Sequence, residues 1–354
     1  MLRKVHIENL KSIDEMNLEC RNINLLIGTN SSGKTTVLQG LLLLLQNNAN
    51  FVGFNDAYVQ LGEYDDARCR YIQTGDGIVI SIEDTDNNVL EHKYKRSEEL
   101  SKFVLKKKIQ GEALDKLFDS RTKHVQYLSC HRVGPLPVYK KNMTVGDDIG
   151  IEGEYAIAYL NSHANDQIAE DMCKAKNNLT LLGQVNWWLK YITDAVIRTE
   201  PVVGTDYVKA AYQMNDVSDI RPINIGAGIS YIISVLIMCL ASEENSVLII
   251  ENPEIHLHPL AQAKVCEFLY FIANNNRQIF VETHSDHIFN GFRVGIAQNK
   301  MDVDKINIAF TYIDNMLTKY MKVDVGEHGR INNQRRDLFD QFDIDMRKMI
   351  GLER

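Results

Sequence analysis

The chain has 354 residues, a hydrophobic content of 45% and a formal net charge of −8. This length and composition fit a soluble globular protein with one large α/β domain or two ordinary domains. We expect no membrane span, because no run of about 18 apolar residues occurs, and no secretion, because the segment MLRKVHIENL lacks a signal-peptide pattern. The six cysteines stand singly, which favours reduced thiols in a cytoplasmic protein.

Charge is distributed unevenly along the chain. Between Glu91 and Lys141 there are 13 lysines and arginines against 6 acidic residues, and the densest point is Lys106 to Lys108. Such a run is either a solvated face or a contact for a nucleic-acid phosphate backbone, whose mark is strong salt dependence. The sequence leaves both interpretations open, so a nucleic-acid partner is possible.

The first part of the chain, residues 1–95, is predicted to be rich in strands. The segment that ends at Gly28 has the pattern of two or three short strands. The next segment, SGKTTVLQGLLLLLQ, predicts a helix that hydroxyl residues open. Residues 71–94 alternate in a way that predicts an antiparallel β-meander.

The middle part, residues 96–220, is predicted to be a mostly helical insertion. Residues 97–119 and 152–200 have helical patterns, and the segment YLSCHRVGPLP between them predicts a strand that runs into a loop.

The last part, residues 221–354, alternates strands and helices. Its strands VLIIE and QIFVE are apolar on both faces, which is typical of a central sheet buried on both sides. Two further strands are predicted around a turn at Asp314 and Asn315. We therefore expect residues 1–354 to form a single α/β domain with a mixed central sheet, and no long coiled coil, because no heptad pattern persists.

The segment GTNSSGKT at residues 28–35 matches the pattern G-x-x-x-x-G-K-[ST] between a strand and a helix. Glycines let successive backbone N–H groups face one phosphate, and the N-terminus of the helix points its positive end at the same place. The lysine is expected along the β- and γ-phosphates, and the first threonine hydroxyl on Mg²⁺. The predicted ATP-binding residues of the loop are Gly28, Thr29, Asn30, Ser31, Ser32, Gly33, Lys34, Thr35 and Thr36.

A second candidate site element is the acidic end of the strand VLIIE. Glu251 lies at the carboxyl end of a buried strand, where open α/β sheets bind ligands. We expect it to hold Mg²⁺ through a water molecule, together with Thr35.

Five motifs in order resemble those of the ATP-binding-cassette (ABC) ATPases, in particular the SMC, RecF and OLD-like branch. They are IENLKSIDE, GTNSSGKTT, NIGAGIS, VLIIENPEIHLHP and FVETHSDH. The resemblance implies an ABC-type P-loop fold and a dimer that closes head to tail around ATP. It implies nucleotide contacts from Asn9, Lys11 and Ser12, a signature turn at residues 224–230 that caps the partner's ATP, a switch role for His284, and a metal-side glutamine for which Gln60 is the candidate.

Within the signature turn, Gly226 and Gly228 suit a close backbone approach, and Ser230 or Asn224 is the candidate phosphate donor. The sequence departs from the family pattern where a catalytic glutamate is usual, because it has Asn252 there. An asparagine can orient water but cannot accept its proton. Either Glu254 acts as the base, or hydrolysis is slow and ATP serves as a clamp.

Function is therefore expected to be that of an ATPase switch for a separate effector, such as a nuclease or toxin, in anti-phage defence. The alternatives are a scaffold that holds ATP without hydrolysis and restrains such an effector, and a RecF-like DNA-repair ATPase. Zinc ligation by His256, His258, His284 and His287 is a further open interpretation of the histidines.

Overall fold

A computed structural model of the protein describes residues 1–48, 52–72, 77–97, 103–143 and 147–352. The strands are β1 (Leu2–Leu10), β2 (Ile13–Glu19), β3 (Ile23–Gly28), β4 (Ile78–Asp84), β5 (Val89–Arg96), β6 (Phe103–Gln110), β7 (Val125–Leu128), β8 (Tyr139–Lys140), β9 (Ala195–Pro201), β10 (Tyr207–Met214), β11 (Val217–Ile220), β12 (Val247–Glu251), β13 (Gln278–Glu282), β14 (Ile306–Asp314) and β15 (Leu317–Lys322). The α-helices are α1 (Lys34–Asn48), α2 (Tyr64–Ala67), α3 (Ala113–Leu117), α4 (Ala156–Ser162), α5 (Leu181–Thr193), α6 (Ala227–Ala241), α7 (Pro259–Asn274), α8 (Asp286–Ala297) and α9 (Gln341–Met349).

The central sheet has six strands in the order β15-β14-β3-β13-β12-β7. All neighbouring pairs are parallel except the edge pair β14 and β15, which form an antiparallel hairpin. Every residue of β12 and β13 is buried. Their side chains point alternately into the two cores on either side, which is why both strands are apolar throughout.

An antiparallel sheet of five strands covers one side of the molecule, in the order β2-β1-β4-β5-β6. The helix α1 lies between this sheet and the central one, and 12 of its 15 residues are buried. A helix that is apolar on all faces requires such a position. The strand-rich N-terminal part and the meander of β4 and β5 are confirmed.

The opposite face of the central sheet is covered by α4, α5, α6, α7 and α8, which share one core with it. A small sheet of β8, β9, β10 and β11 packs beside α4 and α5. Helices and strands thus build an α/β domain with a mixed central sheet, as expected. The longest described helix, α7, has 16 residues, so the described part of the chain holds no long coiled coil.

The prediction of helix for residues 97–119 was wrong over Phe103–Gln110, which form the edge strand β6; residues 98–102 lie outside the described part. Lysine favours helices, but the ladder with β5 supplies backbone pairing that outweighs this preference. The helical pattern assigned to residues 152–200 was also too broad, since β9 begins at Ala195, and β10 and β11 follow it. Residues 96–220 therefore hold helices and strands in similar measure, and the three-part division of the chain remains a prediction.

Candidate functional site

The phosphate loop joins the end of β3 to the start of α1, as its motif predicts. Gly28 has φ of +145° and Gly33 φ of +97°, which glycine adopts without strain. Steric crowding also excludes a larger residue at both positions. A Cβ on Gly28 would lie 2.1 Å from the Thr311 carbonyl oxygen, and one on Gly33 would lie 2.3 Å from the Thr318 Oγ1. Both glycines are required by the fold of the loop itself.

Lys34 closes the loop from inside. Its ammonium group donates to the carbonyl oxygens of Gly28 at 3.0 Å and Thr29 at 2.8 Å, and the residue is buried. Burial lowers the pKa of Lys34, while the nearby Glu282 carboxylate opposes this effect. The lysine is thus held at the centre of the loop.

Hydroxyl groups attach the loop to the neighbouring strands. Ser32 is fully buried, and its Oγ lies 2.6 Å from Thr311 Oγ1 on β14. Thr36 is buried in α1, so its side chain packs within the fold. The remaining loop residues, Thr29, Asn30 and Ser31, are exposed and available to a ligand.

Glu251 and Glu282 end two adjacent parallel strands in direct register. Glu251 Oε1 accepts from the Tyr127 hydroxyl at 2.9 Å, and its Oε2 accepts from the Cys130 backbone N–H at 3.0 Å. The predicted acidic strand end is therefore present, but two local donors occupy Glu251.

Glu282 is the residue that sequence reasoning missed. Its Oε1 accepts from the Thr35 hydroxyl at 2.8 Å, while its buried Oε2 has no hydrogen-bond partner. Burial raises the pKa of Glu282 to about 7, with a smaller contribution from the negative charge of Glu251. The available signal was that QIFVE, like VLIIE, ends in a glutamate after an apolar run.

Glu254 is brought back to the same region by a turn after β12. Its Oε1 accepts from the Thr283 hydroxyl at 2.7 Å and from the His284 backbone N–H at 3.1 Å. Its Oε2 is buried without a partner, and burial raises the pKa of Glu254. The His284 ring remains partly exposed, 4.0 Å from Glu282, and burial lowers its pKa.

Arg132 supports the turn after β12. Its guanidinium donates to the backbone carbonyl oxygens of Ser129, Glu251 and Asn252, and the residue is buried. These bonds fix the backbone between the strand end and Glu254. Arg132 therefore has a structural role.

Asn9, a predicted nucleotide contact, and Gln60, the candidate metal-side glutamine, make their described contacts outside the phosphate loop. Asn9 is buried, and its amide donates to the Gly77 carbonyl. Gln60 is exposed in the loop after α1, and its backbone pairs with Asn55; no hydrogen bond among the described residues joins its side chain to the site. The side chain of Asn9 thus lies inside the fold, and its predicted contact with the nucleotide remains a prediction.

Lys11 and Ser12 lie closer to the loop. The ammonium group of Lys11 donates to Gln39 on α1 at 3.0 Å, and burial lowers its pKa. Ser12 Oγ lies 2.7 Å from Thr318 Oγ1, the group that packs against Gly33. Ser12 thus supports the loop indirectly.

The glycine-rich turn at the start of α6 is divided between surface and interior. Asn224 and Gly226 are exposed, and a Cβ on Gly226 would meet nothing within 4 Å. In contrast, a Cβ on Gly228 would lie 2.5 Å from the His256 carbonyl oxygen, and Ser230 is 4% exposed. Gly228 and Ser230 are thus packed within their own chain, and their expected contacts with a second protomer remain predictions.

The zinc interpretation of the histidines gains no support. His258 caps α7 by accepting from the Leu260 N–H, and the His256 ring contacts the Tyr231 ring at a tilted angle. Within the described residues, the one group of three side chains spaced for a metal ion is His6, Glu8 and Glu15, on the outer face of the N-terminal sheet. No described helix has both the length and the apolar character required to cross a bilayer.

Strand order, phosphate loop and acidic strand ends together define a P-loop nucleotide-binding protein. The sequence matches the family described as AAA ATPase domain over residues 1–133 and 161–289, about three quarters of the chain. The chain belongs to this AAA ATPase domain family. No curated protein matches it.

Solved structures with the same fold are SMC head domains. An SMC head bound to the C-terminal winged-helix domain of ScpA has a TM-score of 0.57 at 11% identity, over 92% of this chain and 98% of that one. The SMC head of Thermotoga maritima has a TM-score of 0.50 at 10% identity, over 92% and 99%. A head with an extended coiled coil bound to the C-terminal domain of ScpA, from Pyrococcus furiosus, has a TM-score of 0.51 at 12% identity, over 99% of each chain. The ABC-type fold that SMC heads have is thus confirmed.

We predict that Glu282→Gln stabilises the metal-free, nucleotide-free protein increasingly as pH rises from 5 to 8. Folding raises the pKa of Glu282 from 4.5 to about 7. The folded protein therefore holds this proton more tightly than the unfolded chain, and the stability present below pH 4.5 is lost as pH rises through 7. The expected gain at pH 8 is on the order of 1–3 kcal/mol. Thermal melts in EDTA measure it, with Glu200→Gln on an exposed strand as the control; a pH-independent difference between wild type and Glu282→Gln contradicts the prediction.

Proposed function

We propose that the protein binds ATP with Mg²⁺ and hydrolyses it slowly, as a switch that closes a head-to-tail dimer. One observation carries this proposal: the phosphate loop and the carboxylates of Glu251, Glu254 and Glu282 meet at one edge of the central sheet. Thr35 and this acidic group suit a hard cation with oxygen ligands. Bound Mg²⁺ neutralises charge on the phosphates.

The residues of the chain have separate proposed tasks in this reaction. Lys34 and the loop N–H groups bind the phosphates, and the N-terminus of α1 adds its positive dipole. Glu254 is the candidate general base, because one of its oxygens is free of hydrogen bonds and its raised pKa makes it a stronger base than an ordinary carboxylate. Asn252 orients water at most, which supports slow turnover.

The dimer proposal rests on the start of α6. Asn224 and Gly226 are exposed beside the free N–H groups of this helix, which form an anion-binding end. In the proposed dimer this end faces the ATP held by the other copy. A switch of this kind suits control of a separate effector, and anti-phage defence remains its proposed setting in the cytoplasm.

Single-turnover hydrolysis tests the enzymatic part. We expect Lys34→Ala to abolish ATP binding and turnover, and Glu254→Gln to retain binding but lose about 10²-fold in rate, the usual contribution of a general base. If the wild type binds ATP but hydrolyses it no faster than Lys34→Ala, the proposed ATPase activity is excluded. The alternative function, a scaffold that holds ATP and restrains an effector, is then favoured.

Mass measurement in solution tests the dimer. We expect Glu254→Gln to be dimeric with MgATP, and the added substitution Gly226→Glu to leave it monomeric, because the new carboxylate would repel the partner's phosphates. Gly226→Ala is the matched control, since a Cβ at this position has open space. A dimer that survives Gly226→Glu unchanged contradicts the head-to-tail arrangement.

Nucleic-acid binding is a second candidate function, supported by the edge strand β6. Lys106 and Lys108 are exposed on the same face of this strand, while Lys107 points the other way and donates to the Asn48 carbonyl at 3.1 Å. The basic patch on the sheet face thus includes Lys106 and Lys108, with Lys93 of β5 opposite Lys106, and Lys107 has a separate contact with the end of α1.

We predict that Lys106→Glu with Lys108→Glu weakens any DNA binding and lowers its salt slope by about two, roughly one for each lost phosphate contact. Lys107→Ala is the control, because its side chain points away from this face and contacts the Asn48 carbonyl. Filter binding across a salt series measures both quantities. An unchanged affinity and slope in the double variant show that the patch is only solvated.

A further inference from the structure

The hydroxyl group of Thr35 has a defined orientation. A threonine hydroxyl has one hydrogen to donate and two lone pairs to offer. Thr35 Oγ1 donates its hydrogen to Glu282 Oε1 at 2.8 Å. Because the hydrogen points to Glu282, the lone pairs of Oγ1 point away from it, and one of them is free to bind a cation.

Glu251, the carboxylate that the sequence analysis paired with Thr35, is engaged differently. Its two oxygens accept from Tyr127 and Cys130, on the side of the sheet edge formed by β7. Glu282 lies on β13, between Glu251 on β12 and the phosphate loop after β3. The strand order thus puts Glu282 next to Thr35 and Glu251 one strand further away.

Glu282 also has an unused binding capacity. The residue is 5% exposed, yet its Oε2 has no hydrogen-bond partner. An unpaired buried carboxylate oxygen is costly, and water or a cation relieves that cost. Lys34 leaves it unpaired, because its ammonium group is bound to the carbonyl oxygens of Gly28 and Thr29.

We propose that Glu282 is the positioning residue of the metal site: it aligns the Thr35 hydroxyl for Mg²⁺, and its free oxygen accepts from a water molecule of the ion. This inference rests on the proposed nucleotide binding. Removing a residue that hydrogen-bonds to a metal ligand and orients it typically weakens metal binding by about 10–100-fold. Of the two strand-end glutamates, Glu251 is then the one further from the Thr35 hydroxyl.

A double-mutant cycle on nucleotide affinity tests the assignment without a measurement of hydrolysis. Calorimetry with a non-hydrolysable ATP analogue gives the affinity with Mg²⁺ and in EDTA, and the ratio of the two is the magnesium gain. We expect Glu282→Gln and Thr35→Val each to lower this gain by about 10-fold or more.

The combination of variants separates positioning from general support of the fold. If Glu282 acts in part by aligning the Thr35 hydroxyl, the pair Glu282→Gln with Thr35→Val loses less gain than the sum of the two single losses. Glu251→Gln with Thr35→Val is the matched pair, and its losses should add. Additive losses for the Glu282 pair, or a full magnesium gain in Glu282→Gln, overturn the proposal.

Two controls keep these outcomes distinct. Glu282→Asp preserves the charge but shortens the side chain by one methylene, so it should lose part of the gain; a full gain in this variant also overturns the proposal, even if Glu282→Gln does not fold. If the wild type and Lys34→Ala both fail to bind the analogue, the proposed nucleotide binding itself fails.

Discussion

The parallel register of β3, β13 and β12 is the constraint on which the site depends. It aligns Leu26 with Glu282, and Glu282 with Glu251, so the phosphate loop and both glutamates emerge at the same edge. On the other side of β3, Thr311 of β14 pairs with Gly28. Its carbonyl oxygen then occupies the space that a Cβ on Gly28 would need. The same register therefore collects the acidic side chains and requires the first glycine of the loop.

This arrangement concentrates negative charge in a buried place. Glu282 and Glu254 each have one oxygen without a partner, and Lys34, the cation within the loop, bonds to carbonyl oxygens. Burying carboxylates without full pairing reduces the stability of the empty protein. A ligand that brings a divalent cation to this edge supplies the missing partner for these carboxylates. Its binding then stabilises the folded protein by mass action. The proposed coupling of nucleotide and magnesium binding follows from this imbalance.

Local patterns made much of the fold and part of the site predictable. The loop from Gly28 to Thr35 is contiguous, so its spacing alone indicated its conformation, and the apolar strands β12 and β13 revealed the buried sheet. Glu282 was not predictable in this way, because its partner Thr35 is 247 residues away and only the strand order brings them together. The segment of β6 was predicted to be a helix, because its strand conformation depends on pairing with β5 and not on its own residue preferences. The burial of Ser230 and Asn9 was not predictable either, because a motif gives spacing but does not give burial.

The asparagine at position 252 has a conformational explanation. Asn252 has φ of +43°, a left-handed conformation that asparagine tolerates better than most residues with a side chain. Its N–H donates to the Glu282 carbonyl at 2.7 Å, and Arg132 binds its carbonyl oxygen. This sharp turn returns the chain so that Glu254 reaches Thr283 and His284 at the end of β13. A glutamate at position 252 would be strained by the same backbone. Position 252 thus serves the turn, and the turn delivers the carboxylate of Glu254 to the site.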